Sequence, residues 1–198
     1  MVDAAPSWRN PANGITALRI VLVPGFVVLL AWDGGTTVAT RLAAVGIFVV
    51  AAASDRVDGW LARRSGQVTD VGKILDPIAD KALMGGALVT LSALGELSWW
   101  VSAVILVREV GITVMRFALL RYLVLPASRG GKVKTVLQSV AIGLFLLPLT
   151  HLPRWVWAIA AVVMAVAVVV TVLTGADYLR TAWRVRRKVR AVTPVVER

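Results

Sequence analysis

The sequence predicts an all-α integral membrane protein, built as a bundle of six transmembrane helices with both termini in the cytoplasm. Of its 198 residues, 58% are hydrophobic, and the mean hydropathy is +0.79. A soluble domain of this length is far less apolar. No polar stretch is long enough to link two folded units. We therefore expect one domain over residues 1–198, with a basic cytoplasmic tail from about residue 180.

Six apolar segments are long enough to cross the hydrocarbon core of a bilayer, which takes roughly 20 residues of helix. They cover residues 15–32, 38–62, 72–94, 97–119, 133–149 and 155–179. Short connections rich in turn residues, such as "WDGGTT" and "LPASRGGK", separate them. Consecutive helices should therefore be antiparallel neighbours.

The placement of lysine and arginine predicts the orientation. These residues cluster before the first segment, in every second connection and in the tail, whereas the other side has only Arg41 and Arg154, against Asp33 and Glu96. Since basic connections stay in the cytoplasm, we expect a multi-pass protein of the cytoplasmic membrane. Four tryptophans then fall at the outer interface as an aromatic belt: Trp99, Trp100, Trp155 and Trp157.

Composition excludes several kinds of chemistry. The net charge of +11 sits in membrane flanks rather than on one compact surface, so we expect no nucleic-acid partner. There is no cysteine, which excludes disulfides, thiolate metal sites and thiol nucleophiles. His151 is the only histidine and lies in a predicted outer connection, so histidine-based catalysis or zinc binding is not expected.

Five aspartates interrupt the apolar pattern in "SDRVDGWLARRSGQVTDVGKILDPIADK". Asp55 and Asp58 are spaced i, i+3, and Asp76 and Asp80 are spaced i, i+4, so each pair shares one helical face. The short connection between the pairs lets the two faces meet. Asp70 stands outside these spacings and is expected to cap the third helix.

Four carboxylates in a partly dehydrated space require compensating positive charge. All-oxygen ligands favour Mg²⁺ or Mn²⁺, and four carboxylates suit two such ions clamping phosphoryl oxygens. Gly59 and Gly72 leave room for a close approach of backbone or ligand, and Arg63 can meet phosphate. The alternative is that the aspartates only pair with basic residues at the rim of the membrane.

The complete spacing resembles the signature of the CDP-alcohol phosphotransferase family, D-x2-D-G-x2-A-R-x8-G-x3-D-x3-D. Its fixed positions correspond to Asp55, Asp58, Gly59, Ala62, Arg63, Gly72, Asp76 and Asp80. The resemblance also implies the six-helix fold, a site facing the cytoplasm, and a homodimer.

The resemblance implies specific roles. Asp55, Asp58 and Asp76 would bind two divalent ions, and Asp80 would both bind metal and act as the general base. The residues implied to contact the CDP-lipid are Gly59, Ala62, Arg63, Thr69 and Gly72, together with Asn13, Thr16 and Arg19 in the N-terminal "NPANGITALR". The family also implies CDP-diacylglycerol as the lipid substrate.

Two further stretches bear on the acceptor alcohol. "VREVGITVMRF" contains Arg108 and Arg116, and "GGKVKT" contains Lys132 and Lys134. Such cations suit an acceptor that carries phosphate, and both stretches resemble the members that use sn-glycerol 3-phosphate. The expected products are phosphatidylglycerophosphate and CMP, with anionic membrane lipids as neighbours of the basic tail.

Alternatives remain for these residues and for the function. One alternative is that Arg108 and Glu109 form only a structural pair and that Lys132 and Lys134 are only basic flanks. Inositol phosphate or phosphatidylglycerol could replace glycerol 3-phosphate as acceptor. An intramembrane prenyltransferase is less favoured, because its aspartate motifs are separated in sequence. An ion-coupled transporter is also less favoured, because no internal repeat is evident.

Overall fold

The computed structural model describes residues 11–65, 70–119 and 129–192. It describes the side chains there except at residues 11–13, 15–16, 55–65, 70–77, 116–119, 129–130, 132 and 185–192. Regular structure in the described ranges is entirely helical. The α-helices are α1 (Pro11–Ala31), α2 (Val38–Ser65), α3 (Asp70–Ala93), α4 (Trp99–Leu119), α5 (Arg129–Leu146) and α6 (Arg154–Val192). The predicted all-α class and the number of six helices are confirmed for these ranges.

Every helix differs from its predicted bounds at one end or both, and the ends of α5 and α6 show why. Helix α5 ends at Leu146 rather than at residue 149, because Pro148 cannot donate a backbone hydrogen bond, and a 3-10 turn follows over Leu149–His151. Helix α6 continues to Val192, well past residue 179. The added stretch is rich in arginine and contains neither glycine nor proline, which favours helix. Much of the basic tail is therefore helical.

Helix α3 lies at the centre of the bundle and packs against α1, α2, α4 and α5. Two adjacent glycines allow close contact with helices on two sides of α3. A methyl group at Gly86 would stand 2.9 Å from Val27 Cγ2 of α1, and one at Gly85 would stand 3.4 Å from Leu106 Cδ2 of α4. Small residues thus bring the neighbouring helices close to the one that carries Asp76 and Asp80.

A buried arginine joins the bundle at one end, which we call the clasp end. Arg41, near the start of α2, is 2% exposed and forms a two-pronged ion pair with Glu96 in the α3–α4 connection. Its Nε donates to the carbonyl of Leu146 at 3.1 Å, and its Nη2 donates to that of Phe145 at 3.2 Å. Its Nη1 also reaches the carbonyl of Gly35 at 3.4 Å. The sequence analysis treated this residue only as an outer flank.

These contacts fix the direction of the helices. The α1–α2 connection, the α3–α4 connection and the last turn of α5 all meet Arg41, so they lie at the same end of the bundle. The start of α3 and the start of α5 then lie at the opposite end, which we call the aspartate end. The turn into α2 is fixed by Asp33, whose carboxylate accepts from the amides of Gly35 and Thr37. The side chain and amide of Thr37, with neighbouring amides, hold the pKa of Asp33 below its usual value.

Helix α6 presents an apolar surface away from the bundle. Among the described residues, its segment Arg154–Arg184 is the one helix that passes a test of length and composition for crossing a membrane, and its most apolar stretch has a mean hydropathy of 2.8. Large apolar side chains such as Val162, Val169 and Leu173 are more than half exposed. A soluble protein rarely exposes so continuous an apolar face, whereas lipid is a matched solvent for it. Shorter apolar helices cover Ala17–Ala31, Val38–Ser54 and Val133–Leu146.

Replacing Arg41 by lysine should lower thermal stability. Lysine keeps the charge but loses the planar fork that binds Glu96 and reaches the two α5 carbonyls. We expect a loss of about 1–3 kcal/mol, since hydrogen bonds to charged groups contribute on that order. The measurement is thermal unfolding of the purified protein in detergent. Arg154→Lys is the control, because Arg154 is exposed at the start of α6, and equal melting temperatures for the two variants would contradict the clasp.

Candidate active site

The signature residues lie on a helical hairpin formed by α2 and α3, which pack against each other across a connection of four residues. Asp58 lies 7 residues before the end of α2 and Asp76 lies 6 residues after the start of α3, which is about 10 Å along each helix at 1.5 Å per residue. Asp55 and Asp80 each lie 10 residues from those ends, or about 15 Å. The backbone therefore brings the two pairs to matching depths.

The other predicted lipid-site residues lie on the same hairpin or on α1 beside it. Helix α1 packs against both α2 and α3, and Arg19 on α1 is 1% exposed. The backbone of the last turns of α2 carries Gly59, Ala62 and Arg63, and the first turns of α3 and α1 carry Gly72, Asn13 and Thr16. Thr69 lies outside the described residues. Apart from Arg19, none of these positions has a described side chain.

The donor set of the hairpin fits divalent cations. Its candidate ligands are all carboxylates, and oxygen ligands are those that Mg²⁺ and Mn²⁺ prefer. The side chains of Asp55, Asp58 and Asp76 lie outside the described set, and no cluster of three metal-binding side chains occurs within it. Asp80 is described and partly buried. The fit therefore rests on residue type and on the matching depths of the backbone positions.

A described cluster of charged and hydroxyl side chains joins α4, α5 and α6. Glu109 of α4 accepts from Arg108 Nη1 at 2.8 Å and forms an ion pair with Lys134 of α5 through the same Oε1. Arg108 Nη2 donates to Thr174 Oγ1 of α6 at 3.1 Å. We call these residues, with Lys81 and Thr113, the Glu109 cluster.

The Glu109 cluster includes the residue that follows the predicted general base on α3. The carboxylate of Asp80 interacts electrostatically with Lys134. Lys81, the next residue on α3, donates to Thr113 Oγ1 at 2.6 Å, and Thr113 donates to the backbone carbonyl of Glu109 at 2.7 Å. The structure thus brings two of the four predicted acceptor-site residues, Arg108 and Lys134, together on Glu109, and it links this cluster to α3 at Lys81, the residue after Asp80.

The structure also tests whether Arg108 only pairs with Glu109 and whether Lys134 is only a solvated basic flank. Arg108 and Glu109 do pair, yet Glu109 is shared with Lys134, so the contact is more than a local pair of neighbours. Lys134 is 2% exposed, which is not the environment of a solvated flank. Arg116 lies in the last turns of α4 and Lys132 in the first turn of α5, and their side chains are outside the described set.

Sequence reasoning did not identify Lys81, Thr113 or Thr174 as members of this cluster. Thr113 could have been found, because it stands four residues after Glu109, where a hydroxyl commonly bonds the carbonyl one turn earlier. Thr174 follows Arg108 by 66 residues, and no spacing rule connects them. Next to it, a methyl group on Gly175 would stand only 3.2 Å from Arg108 Cγ. Glycine is therefore what lets Arg108 lie flat against α6.

Comparison with known proteins decides the family. Residues 9–173 match the sequence profile of the family described as CDP-alcohol phosphatidyltransferase. The chain belongs to this family. The CDP-alcohol phosphatidyltransferase match includes α1 to α5, most of the apolar part of α6, and every signature aspartate. The chain is accordingly a transferase, and the family resemblance expected from the aspartate spacing is confirmed.

Curated relatives within the family cover most of the chain. A protein of Mycobacterium tuberculosis (strain H37Rv) named "Probable phosphatidylglycerophosphate synthase" is 53% identical over 175 residues, which cover 88% of this chain and 82% of the relative. A protein of Bacillus subtilis (strain 168) named "CDP-diacylglycerol--glycerol-3-phosphate 3-phosphatidyltransferase" is 34% identical over 88% of this chain and 95% of the relative. A Shigella flexneri protein of the same name is 35% identical over 85% and 92%.

A methyl group at Gly175 should disturb the cluster, whereas one at Gly143 should not. At Gly143 of α5 the nearest atom would be Phe48 Cε1 at 3.8 Å, an ordinary contact, whereas at Gly175 it is Arg108 Cγ at 3.2 Å. Overpacking a buried site costs about 1–3 kcal/mol, and relief of helical glycine offsets about 0.5–1 kcal/mol. Thermal unfolding should therefore rank Gly143→Ala at or above wild type and Gly175→Ala below it. The reverse order would contradict the described packing of Arg108.

Proposed function

We propose that this protein transfers the phosphatidyl group of CDP-diacylglycerol to sn-glycerol 3-phosphate, giving phosphatidylglycerophosphate and CMP. The observation that carries the choice of acceptor is the meeting of a partly buried Arg108 and a buried Lys134 on Glu109, in a cluster that includes Lys81, the residue after Asp80. Two cations next to the general base suit an acceptor with a phosphate near its reacting hydroxyl. The names of the three relatives support the same reaction.

In the proposed site, the hairpin binds metal and the nucleotide end of the lipid. Asp55, Asp58, Asp76 and Asp80 would hold two divalent ions, Mg²⁺ or Mn²⁺. When bound, such ions neutralise pyrophosphate charge and stabilise a phosphate leaving group. The CDP-lipid would contact the residues named from the family signature and the first helix: Gly59, Ala62, Arg63, Thr69, Gly72, Asn13, Thr16 and Arg19. Burial of Arg19 on α1 fits a role against phosphate rather than in solvent.

The proposed chemistry needs one proton acceptor. Asp80 takes the proton from the acceptor hydroxyl as the oxygen of that hydroxyl forms a bond to the β-phosphorus of CDP-diacylglycerol. The bond from that phosphorus to the oxygen of CMP breaks, and CMP leaves with the electron pair. Arg108 and Lys134, with Arg116 and Lys132 nearer the helix ends, bind the acceptor phosphate so that its hydroxyl faces Asp80. This orientation turns an encounter in solution into a reaction between fixed groups.

The proposed setting is the cytoplasmic membrane. Six helices would cross it as one domain, with the aspartate end and both termini in the cytoplasm. The starts of α3 and α5, which carry Lys73, Lys132 and Lys134, lie at the aspartate end, and Glu96 lies at the clasp end; this distribution of charge supports the proposed orientation. Acyl chains would stay in lipid while glycerol 3-phosphate enters from water. The basic extension of α6 would lie near anionic lipid headgroups, and the family resemblance supports a homodimer.

The acceptor assay tests the reaction itself. Purified full-length protein is given CDP-diacylglycerol and Mg²⁺ or Mn²⁺, with glycerol 3-phosphate, inositol phosphate, inositol, serine or phosphatidylglycerol offered separately. We expect CMP release with glycerol 3-phosphate and its loss when EDTA removes the metal. Faster release with another acceptor would overturn the proposed substrate, and no release with any acceptor would overturn the proposed reaction.

Asp80→Asn should reduce turnover by about 10²- to 10⁴-fold, the usual contribution of a general base. Asparagine keeps the shape of the side chain but cannot accept the proton. Asp70→Asn is the matched control, because Asp70 stands at the start of the same helix and outside the signature spacing. Its turnover should stay near that of wild type. Equal activities for the two variants would show that Asp80 is not the base.

A further inference from the structure

One carboxylate oxygen joins the two cations of the proposed acceptor site. Glu109 Oε1 accepts from Arg108 Nη1 at 2.8 Å and also meets Lys134 Nζ. Because Arg108 Nη1 and Lys134 Nζ both donate a hydrogen bond to this one oxygen, the two nitrogens lie within about 6 Å of each other, twice the length of a hydrogen bond. That separation lets two oxygens of one phosphate group meet both nitrogens.

The contacts of Arg108 show how strongly Glu109 determines its position. The Nη1 group is held by Glu109 and the Nη2 group by Thr174, while the buried Nε has no hydrogen-bond partner in the described part of the chain. Buried donors are nearly always bonded. The guanidinium has therefore taken the orientation that satisfies Glu109 and Thr174 at the expense of Nε.

The backbone of Glu109 is linked to α3 through Thr113. Its backbone carbonyl accepts from Thr113, and Thr113 accepts from Lys81, the residue after the proposed base. The Glu109 cluster thus joins α3, α4, α5 and α6 at the depth of Asp80. A change in the position of Glu109 would be transmitted to Arg108 and Lys134 together.

The charges of the Glu109 cluster show why Arg108 and Lys134 need Glu109 to stay close together. Within the Glu109 cluster, Lys81, Arg108 and Lys134 carry three positive charges and Glu109 carries one negative charge. Without Glu109, Arg108 and Lys134 would repel each other in a partly buried space. The carboxylate allows both to stay charged and close together before an acceptor arrives.

We propose that Glu109 is a positioning residue that holds Arg108 and Lys134 at the spacing needed to bind the phosphate of the acceptor. This role rests on the proposed function and adds to it a residue that does not itself touch the reacting atoms. It predicts that loss of the carboxylate charge weakens acceptor binding selectively, because the lipid substrate is bound by the α2–α3 hairpin and α1.

Glu109→Gln is the principal test. Glutamine keeps the size of the side chain and one acceptor oxygen but replaces charge-assisted hydrogen bonds with weaker neutral ones. With the full-length protein and CMP release as readout, we expect the KM for glycerol 3-phosphate to rise about tenfold or more. The KM for CDP-diacylglycerol should change less than about twofold, because hydrogen bonds to the lipid site are unchanged. Glu109→Asp keeps the charge and should recover part of the lost acceptor affinity.

Glu96→Gln is the matched control for a structural effect. Glu96 also pairs with a buried cation, Arg41, but at the clasp end of the bundle. This variant should lower the melting temperature while leaving both KM values near those of wild type. It separates the general consequence of losing a buried ion pair from a specific effect on the acceptor.

A second variant tests the same idea without changing any charge. Thr174→Val removes the acceptor for Arg108 Nη2 and keeps the shape of the side chain. It should raise the acceptor KM by a smaller factor, about two- to fivefold, as for one neutral partner lost. Thr181→Val is its control, because Thr181 makes the same bond to the carbonyl four residues earlier on α6 and is exposed. If Glu109→Gln does not fold, Thr174→Val decides the question.

Three outcomes would overturn the positioning role. An unchanged acceptor KM in Glu109→Gln, or equal rises in both KM values, would assign Glu109 a structural role only. A lower acceptor KM would mean that Glu109 competes with phosphate for the two cations. Failure of the proposed function is distinguishable, since it appears in the wild-type protein as absence of CMP release with glycerol 3-phosphate. Any other acceptor that works can then be used to measure the same KM ratio.

Discussion

A charge that is buried in an apolar helical bundle has to be neutralised there, and this constraint organises both ends of the molecule. At the clasp end, Arg41 is bound by Glu96 and by carbonyl groups of α5. At the aspartate end, Lys134 and Arg108 are bound by Glu109. Because a buried ion without its partner costs several kcal/mol, these pairings fix which helices can be neighbours and how far along each other they lie.

The two ends use this constraint differently. The guanidinium of Arg41 donates all its described hydrogen bonds to Glu96 and to backbone carbonyls, so the role of this end is structural. The Glu109 cluster has an excess of positive charge next to Asp80, an arrangement that suits binding of an anion. The ion pair at the clasp end holds helices together, whereas the cations at the aspartate end are placed to bind a charged substrate. The long apolar face of α6 meanwhile suits a lipid environment in which one substrate already lies.

The spacing of the aspartates was enough to predict the family, the helical hairpin and the residues proposed to bind metal. Helix positions repeat every 3.6 residues, so spacing alone tells which carboxylates share a face. Arg108 and Glu109 could likewise be expected to pair as neighbours in sequence. The pairing of Lys134 with Glu109, 25 residues away, could not be deduced, because the rotation and depth of α5 against α4 depend on packing throughout the bundle.

By itself, the sequence determined that this chain is a six-helix bundle of a CDP-alcohol phosphatidyltransferase, with its signature carboxylates on two consecutive helices. These properties follow from local periodicity and short connections, which act within one or two helices. Only the tertiary structure decided that Arg41 is a buried clasp, that Lys134 is not a solvated flank, and that Glu109 joins both cations. Those facts depend on contacts between distant segments, where the cost of burying each charge selects one arrangement of side chains.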